Sequence, residues 1–598
     1  MPTTLLRTTL LALAVGAVVG YGLGVQQGDA NAYATLDLAH TGAALVWDAA
    51  RAGALLGGLG GASAASLLAA LRARDSAAPR APPAPPPRAC SSSAHDAAML
   101  GPALHASRLF RDPTAWVGLG LVVALLAEPW RARVGARGLV AATLVALAPL
   151  ASARIELART APAPTPRRPN VIVVLLDALR ADHLTAYGYT RDTAPFVDAL
   201  AADGVLFERA FSPANTTRMS VPSFLGSVHA ATHGIRGRGD QAPPALLLLP
   251  EVLRNAGYQT AAWMPNPSLE QRYRFYYGFD AYYDGDRILP HAEDESRPAH
   301  ERWETARAIQ GSALAWVQVR DRDRPVFLYL HYRQIHGPYA PPPPYDTRYA
   351  PPEPARPFPR GIFRQPDYGY LRLPHHRNDV GYYVAQYDGA IRYTSDQLTA
   401  FFAALRAEGM LDDALVVLMA DHGEAFLEHG TLNHSDTLFD ELVHVPLLLL
   451  RTPSGTPRGR RVAELVGLVD VAPTVLDYVG LSAPPTFQGR SLRPLIEGTA
   501  GPGADVVFLE GPDAIAVRTS RWKVIVDRAS DATQVYDLAA DPGEQHALPA
   551  DTWPPETHVL ARRLRAHVAA HAQILAAGPA TPLDAAQRRR LEALGYVD

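Results

Sequence analysis

The chain has 598 residues, 48% of them hydrophobic and 19% charged, with a formal net charge of −3 at pH 7. That composition is too apolar for a disordered chain and too neutral for a nucleic-acid partner, and the length allows about three domains. One cysteine, Cys90, excludes an intramolecular disulfide, a cysteine-rich zinc site and an iron–sulfur cluster, and one lysine, Lys523, leaves arginine as all but one of the 56 basic residues.

In chain order, residues 5–24 are apolar and uncharged after Arg7, the length of a membrane-spanning helix, with a cleavable signal peptide as the competing reading. Residues 52–71 form a second apolar run, and 115–127 and 138–153 a third and a fourth, both short for a span. The connection between the first two carries Asp29, Asp37 and Asp48 and is expected to face outward. The next holds Arg72, Arg74, Arg80, Arg88, Arg108 and Arg111 and is expected to face the cytoplasm. The connection with Arg131, Arg133 and Arg137 also reads as cytoplasmic, which is consistent if the third run only dips into the membrane. The expectation is a transmembrane region over 1–160 with a proline-rich loop at 77–88, a stiff linker at 161–169, and everything beyond it outside the cytoplasm. The protein would then sit in the cell (inner) membrane, with the lipid bilayer as a partner.

Beyond the linker the pattern is α/β. Residues 171–176 are a continuous β-branched and leucine run, as in a strand covered on both faces, and the run ends in Asp177. Thr193 can cap a helix through about Ala202, closed by Gly204 before a strand over 205–211. Further strands are expected over 326–330 and 415–419. This alternation implies a mostly parallel central sheet flanked by helices, with the binding site at the carboxyl ends of its strands, where Asp177, His331, Asp421 and His422 stand.

Four segments carry residues suited to chemistry at an anion. Asp177, at a strand end, suits a hard cation or the cap of a following helix. Residues 215–234 cluster hydroxyls before Pro222, and a helix starting there would aim its N–H groups at an anion; a Ser/Thr-rich cap is the plainer reading. Asp421-His422 offers one oxygen and one nitrogen ligand, with Gly423 allowing a tight turn, and could otherwise be a structural ion pair. His336, before Gly337-Pro338, lies on a loop where an imidazole could bind or protonate an oxyanion, or simply sit at the surface.

Together these segments resemble the sulfatase family of the alkaline-phosphatase superfamily. The likeness covers nearly everything from Asn170 onward: Asp177 with Arg180-Ala-Asp-His-Leu, the hydroxyl segment ending in His233-Gly, and His331 to Tyr339. It continues through Tyr387-Asp-Gly-Ala-Ile-Arg-Tyr, Asp421-His-Gly-Glu, His444-Val-Pro, Val469-Asp-Val-Ala-Pro-Thr, Gly489-Arg-Ser-Leu and Tyr536-Asp-Leu-Ala-Ala-Asp-Pro-Gly-Glu. The resemblance implies an alkaline phosphatase-like catalytic domain over 170–455, a small C-terminal α+β subdomain over 456–560, and a helical tail over 561–598.

The family's nucleophile is a cysteine matured to formylglycine, about sixteen residues before a His-Gly, and counting back from His233 reaches Thr217. Phosphoethanolamine transferases of the same superfamily place a threonine shortly before Ser-Val-Pro, as Thr217 precedes Ser220-Val-Pro; Thr216 and Ser220 are the alternatives. By this resemblance Asp177, Asp421, His422 and Thr217 hold one divalent metal ion, drawn from calcium, magnesium, manganese and zinc. It also makes Thr217, with His336 and His434, catalytic, and assigns Arg218, Ser220 and His233 to substrate binding.

Three departures stand out: Ala178 replaces a second aspartate, the family's active-site lysines are missing, and a threonine cannot become formylglycine. They shift weight toward phosphorus esters. The expected activity is metal-dependent hydrolysis of a sulfate or phosphate ester of a small molecule, glycan or lipid. A lipid-dependent phosphoethanolamine- or phosphoglycerol-type transferase acting on an envelope glycan is the alternative, and an inactive binding protein on the same scaffold the third. The specificity loops are expected at 241–307 and 341–378, which carry no signature.

Overall fold

The computed structural model describes residues 168–572 and 575, apart from 238, 290–295, 353–355, 360–361, 363–378, 435–436, 453–455 and 500–502. The four apolar runs, the proline-rich loop, Cys90 and the helical segment expected at 582–598 lie outside the described residues. Among the described residues no helix is long and apolar enough to cross a membrane.

The first ten strands among the described residues are β1 (Asn170–Leu176), β2 (Val205–Phe211), β3 (Gln259–Met264), β4 (Ala281–Asp284), β5 (Val326–Tyr332), β6 (Ala414–Met419), β7 (Ala425–Phe426), β8 (Leu432–Asn433), β9 (Leu447–Arg451) and β10 (Arg460–Gly467). Eight of them form one sheet in the order β10-β2-β9-β6-β1-β5-β3-β4, and β7 pairs with β8 in a separate ribbon. All neighbours in the large sheet are parallel except β9, which runs antiparallel to both β2 and β6. The central strands β1, β3, β5 and β6 are buried along their whole length, as unbroken apolar runs require when helices cover both faces.

The helices that matter for the site are α1 (Pro195–Asp203), α2 (Thr217–Gly226), α3 (Ala306–Val319), α4 (Val380–Ala407), α5 (Val471–Tyr478) and α6 (Pro555–His571). Thr193 does not cap α1: its hydroxyl donates to the His183 carbonyl at 2.6 Å, and Pro195, whose fixed φ suits a first turn, starts the helix after Ala194. Gly204 closes α1 as expected. Residues 241–307 are not simply loops, because they contain β3 and β4; the short run Gln-Thr-Ala-Ala-Trp-Met of β3 is too small and too poor in branched residues to stand out.

Several matched motifs hold the frame rather than the chemistry. On α4, the Tyr387 hydroxyl donates to the Ala178 carbonyl at 2.6 Å and accepts from the Arg180 N–H at 2.9 Å. Asp388, next to it, binds His183 Nδ1 at 2.7 Å and Arg191 Nη1 at 2.7 Å. These bonds fix the turn after β1, where Ala178 takes a left-handed backbone with φ 62° and Asp177 is turned into the site. Past α5, four antiparallel strands, β11 (Val507–Glu510), β12 (Ala514–Arg518), β13 (Trp522–Asp527) and β14 (Thr533–Asp537), form a small sheet in chain order, and α6 packs on β12 and β13. Lys523 lies on β13, fully buried, with Nζ 2.8 Å from both Asp440 Oδ1 and Glu544 Oε1.

Candidate active site

The carboxyl ends of β1, β5 and β6 bring Asp177, His331, Asp421 and His422 together, all fully buried. One ligand atom each of Asp177, His331 and Asp421 lie within 4.8 Å of one another. His331 Nε2 is 2.9 Å from Asp177 Oδ2, and His422 Nε2 is 3.4 Å from Asp177 Oδ1 and 3.7 Å from Asp421 Oδ2. Gly423 serves close packing rather than a tight turn: its φ is not positive, and a Cβ there would overlap the Glu441 carbonyl oxygen.

Thr217 opens α2 with Thr216 at the cap, so its hydroxyl sits at the end of a helix where N–H groups lack intrahelical acceptors. Thr217 Oγ1 lies 3.1 Å from His422 Nε2, donates to Asp177 Oδ1 at 3.4 Å, and accepts from Asn266 Nδ2 at 3.3 Å. His422 Nδ1 is 2.9 Å from the Gly423 carbonyl; donation there leaves the lone pair on Nε2, facing Thr217. Asn266 also donates to Asp177 Oδ2 at 2.8 Å, and its own Oδ1 is occupied by the Ser268 N–H at 2.9 Å.

The two carboxyl groups titrate in opposite directions. Burial presses Asp177 up, but His336, His331 and His422 outweigh it and hold its carboxyl well below the usual carboxylate range. Burial, then the neighbouring Asp177 charge, pushes Asp421 up. By hydrogen-bond geometry neither Asp421 oxygen accepts a bond from the described residues, although both are buried. A buried carboxyl with no donor is unfavourable unless a cation balances it. This donor set, two carboxylates with an imidazole and a hydroxyl, fits a divalent metal ion.

On the other side of Thr217, three imidazoles converge: His422 and His434 have ring centroids 4.2 Å apart, and His336 lies 4.9 Å from His434. His434 Nδ1 is 3.0 Å from Glu424 Oε1, a buried carboxyl pushed up by its burial. His336 Nδ1 is 3.1 Å from Arg333 Nη2 and 2.7 Å from the Gly337 carbonyl, and burial with the Arg333 charge depresses its imidazole to about 3.

The remaining expected site residues face elsewhere. Ser220 Oγ is 3.0 Å from Ser212 Oγ, whose own proton goes to a backbone carbonyl. Arg218 donates to the carbonyls of Gly237, Ser268 and Asp240 and lies 4.1 Å from the Tyr273 ring centroid. His233 is held by Ser223 Oγ at 3.0 Å and the Ile235 N–H at 3.1 Å. These three brace the walls around α2. The lone lysine is bound to Asp440 and Glu544, and the cationic side chain beside His336 is Arg333.

His331, Asn266, Glu424 and Arg333 belong to this constellation without having been assigned a role in it. His331 and Glu424 were visible as a strand-end polar residue and as part of Asp421-His-Gly-Glu. Asn266, in Met-Pro-Asn-Pro just beyond β3, carried no signal beyond its place after a strand.

A sequence model of the family described as "Sulfatase" matches residues 169–481, and one described as "N-sulphoglucosamine sulphohydrolase, C-terminal" matches 428–571. Arylsulfatase K of Mus musculus is 30% identical over 206 residues, 32% of this chain and 36% of the relative, so the chain spans about a third of that protein's length. N-acetylglucosamine-6-O-sulfatase of Bacteroides thetaiotaomicron is 23% identical over 467 residues, 64% of this chain and 83% of the relative. Among solved structures, a protein in complex with its substrate D-glucosamine-2-N,6-O-disulfate superposes with a TM-score of 0.57 at 19% identity, covering 68% of this chain and 98% of that one. The phosphonate monoester hydrolase of Agrobacterium radiobacter gives 0.57 at 23% identity, covering 68% and 96%. Likeness at that identity carries the fold.

Proposed function

Since this chain belongs to the sulfatase family, we propose that it hydrolyses a sulfate ester of a saccharide, using Thr217 as the nucleophile and one divalent cation held by Asp177, Asp421, His422 and Thr217. The observation that carries this reading is Thr217 Oγ1, set at the start of α2 and within 3.1–3.4 Å of His422 and Asp177. When bound, the cation lowers the hydroxyl's pKa and neutralises charge on the transferring group.

The chain's own residues supply the rest. Thr217 Oγ1 gives up its proton to solvent and attacks the ester sulfur, while the bond from sulfur to the sugar oxygen breaks. His434, held by Glu424, gives a proton to that oxygen, and His336 in neutral form donates a hydrogen bond to an ester oxygen. Water then attacks the sulfur of the threonine ester, giving one proton to His434; sulfate leaves, and the departing Thr217 oxygen recovers its proton from solvent.

A second reading has a specific observation in its favour. A threonine ahead of Ser220-Val-Pro and the absence of lysine from the site suit phosphorus, either hydrolysis of a phosphoester or transfer of a phosphoryl-linked head group to an envelope glycan. On either reading the N-terminal runs would anchor the catalytic domain outside the cytoplasm at the membrane. The full chain, offered chromogenic sulfate, phosphate monoester and phosphodiester substrates with magnesium, calcium, manganese or zinc, is expected to turn over the sulfate. Turnover of phosphorus substrates alone would replace the first reading by the second, and no turnover with any metal would leave a binding protein.

A further inference from the structure

Away from the catalytic centre a second group of ligating side chains comes together. His229 follows α2 and precedes the short helix Ala230–His233, Glu510 ends β11, and His567 and His571 stand one turn apart on α6. One ligand atom each of His229, Glu510 and His567 lie within 4.8 Å of one another. The rings of His229 and His567 have centroids 4.4 Å apart, and His571 lies 4.4 Å from His567.

Unpartnered ring nitrogens gather here: His229 Nδ1 and His567 Nε2 are buried atoms with no hydrogen-bond partner among the described residues. His571 Nδ1 donates to the His567 carbonyl at 2.8 Å, leaving its Nε2 as the lone-pair nitrogen. Burial, followed by the neighbouring imidazoles, depresses His229 to about 4 and His567 to about 3, so these two imidazoles are neutral at ordinary pH. Its geometry is also braced from outside, in the way ligands of a metal site are braced. The His567 ring stacks on Phe508 at 3.8 Å and 9°, and Glu510 accepts from the Ala231 N–H at 2.9 Å and from Arg528 Nη2 at 3.1 Å.

We propose that His229, His567 and His571 with Glu510 bind a divalent transition metal of the zinc type, fastening α6 and the small sheet to the segment that follows the nucleophile helix. Imidazole-rich sets with one carboxylate suit zinc and cobalt, and neutral imidazoles are the form that ligates. None of the four residues takes part in the proposed catalysis, so the ion would be structural.

The test uses the full chain carrying Asp177→Asn and Asp421→Asn, which disables the catalytic ligands, titrated with cobalt. The expected result is about one bound cobalt with the intense visible bands of a four-coordinate ion, abolished by His229→Gln or His567→Gln. Zinc is expected to displace the cobalt and to shield His229, His567 and His571 of the unaltered chain from imidazole-modifying reagent, a readout that needs no variant to fold. Absence of the bands, bands that survive both substitutions, or imidazoles equally reactive with and without zinc would overturn the proposal.

Discussion

Replacing Thr217 by valine separates the nucleophile from its surroundings more cleanly than any other change. The side chain keeps its shape and loses only the hydroxyl, whose three contacts, with His422, Asp177 and Asn266, are all long at 3.1–3.4 Å. Each neighbour keeps a shorter bond: Asp177 retains Asn266 at 2.8 Å and His331 at 2.9 Å, and His422 retains the Gly423 carbonyl at 2.9 Å. The stability lost should therefore be about 1 kcal/mol, the net contribution of one weak buried hydrogen bond. A domain of this size would then melt about 2–4 °C lower. Activity should fall by ~10⁴-fold or more, the scale of removing a covalent nucleophile. Steady-state turnover of the chromogenic sulfate and calorimetric unfolding of the same preparation measure both. Activity within about tenfold of the parent, in a normally folded variant, would move the nucleophile to Thr216 or Ser220 and refute the assignment.

Asp421→Asn should abolish metal-dependent turnover yet make the metal-free chain more stable, by about 1–3 kcal/mol, because it removes a buried carboxyl without donors beside Asp177; urea unfolding in chelator checks this. Burial depresses His233 from 6.5 to about 3, so across that window the unfolded chain binds more protons than the folded one and stability must fall as pH falls. His233→Gln should flatten that slope by up to about 1.4 kcal/mol per pH unit, read from urea midpoints at successive pH values. Lys523→Met should cost about 3–5 kcal/mol in thermal unfolding, since Glu544, already pushed up to about 7 by its burial, loses the lysine that pairs with it while Asp440 keeps Arg518 at 3.0 Å.

The central sheet was legible because buried parallel strands leave unbroken apolar runs: residues 171–176, 326–330 and 415–419 fall within β1, β5 and β6. Asp177, Asp421 and His422 were legible for the same reason, as polar residues standing where those runs stop. β3 escaped because its run is short and rich in alanine, and Asn266 escaped with it. His434 could be singled out only through resemblance, since a lone histidine in a polar stretch has no periodicity to mark it. Arg218 and Ser220 lie in the right segment on a helix buried all around, whose register is set by packing with Ser212 and Tyr273, and His233 ends the next short helix, held by Ser223.

One feature of the sheet bears on how such a site could change. β9 runs antiparallel to β6, with Leu447 paired to Met419, so the chain leaving β6 at the site end comes back to the sheet at that same end. Asp421, His422, Glu424 and His434 all travel on this excursion, whose two feet are rooted in adjacent buried strands. A parallel β9 would have required the chain to cross to the opposite end and would have tied its length to that of the sheet. As built, the tip of the β7–β8 ribbon, Leu427 to Thr431, can be lengthened or shortened while Asp421, His422, Glu424 and His434 keep their places. Selectivity for new esters could be acquired there by grafting a single loop, leaving the nucleophile helix and the cation ligands untouched.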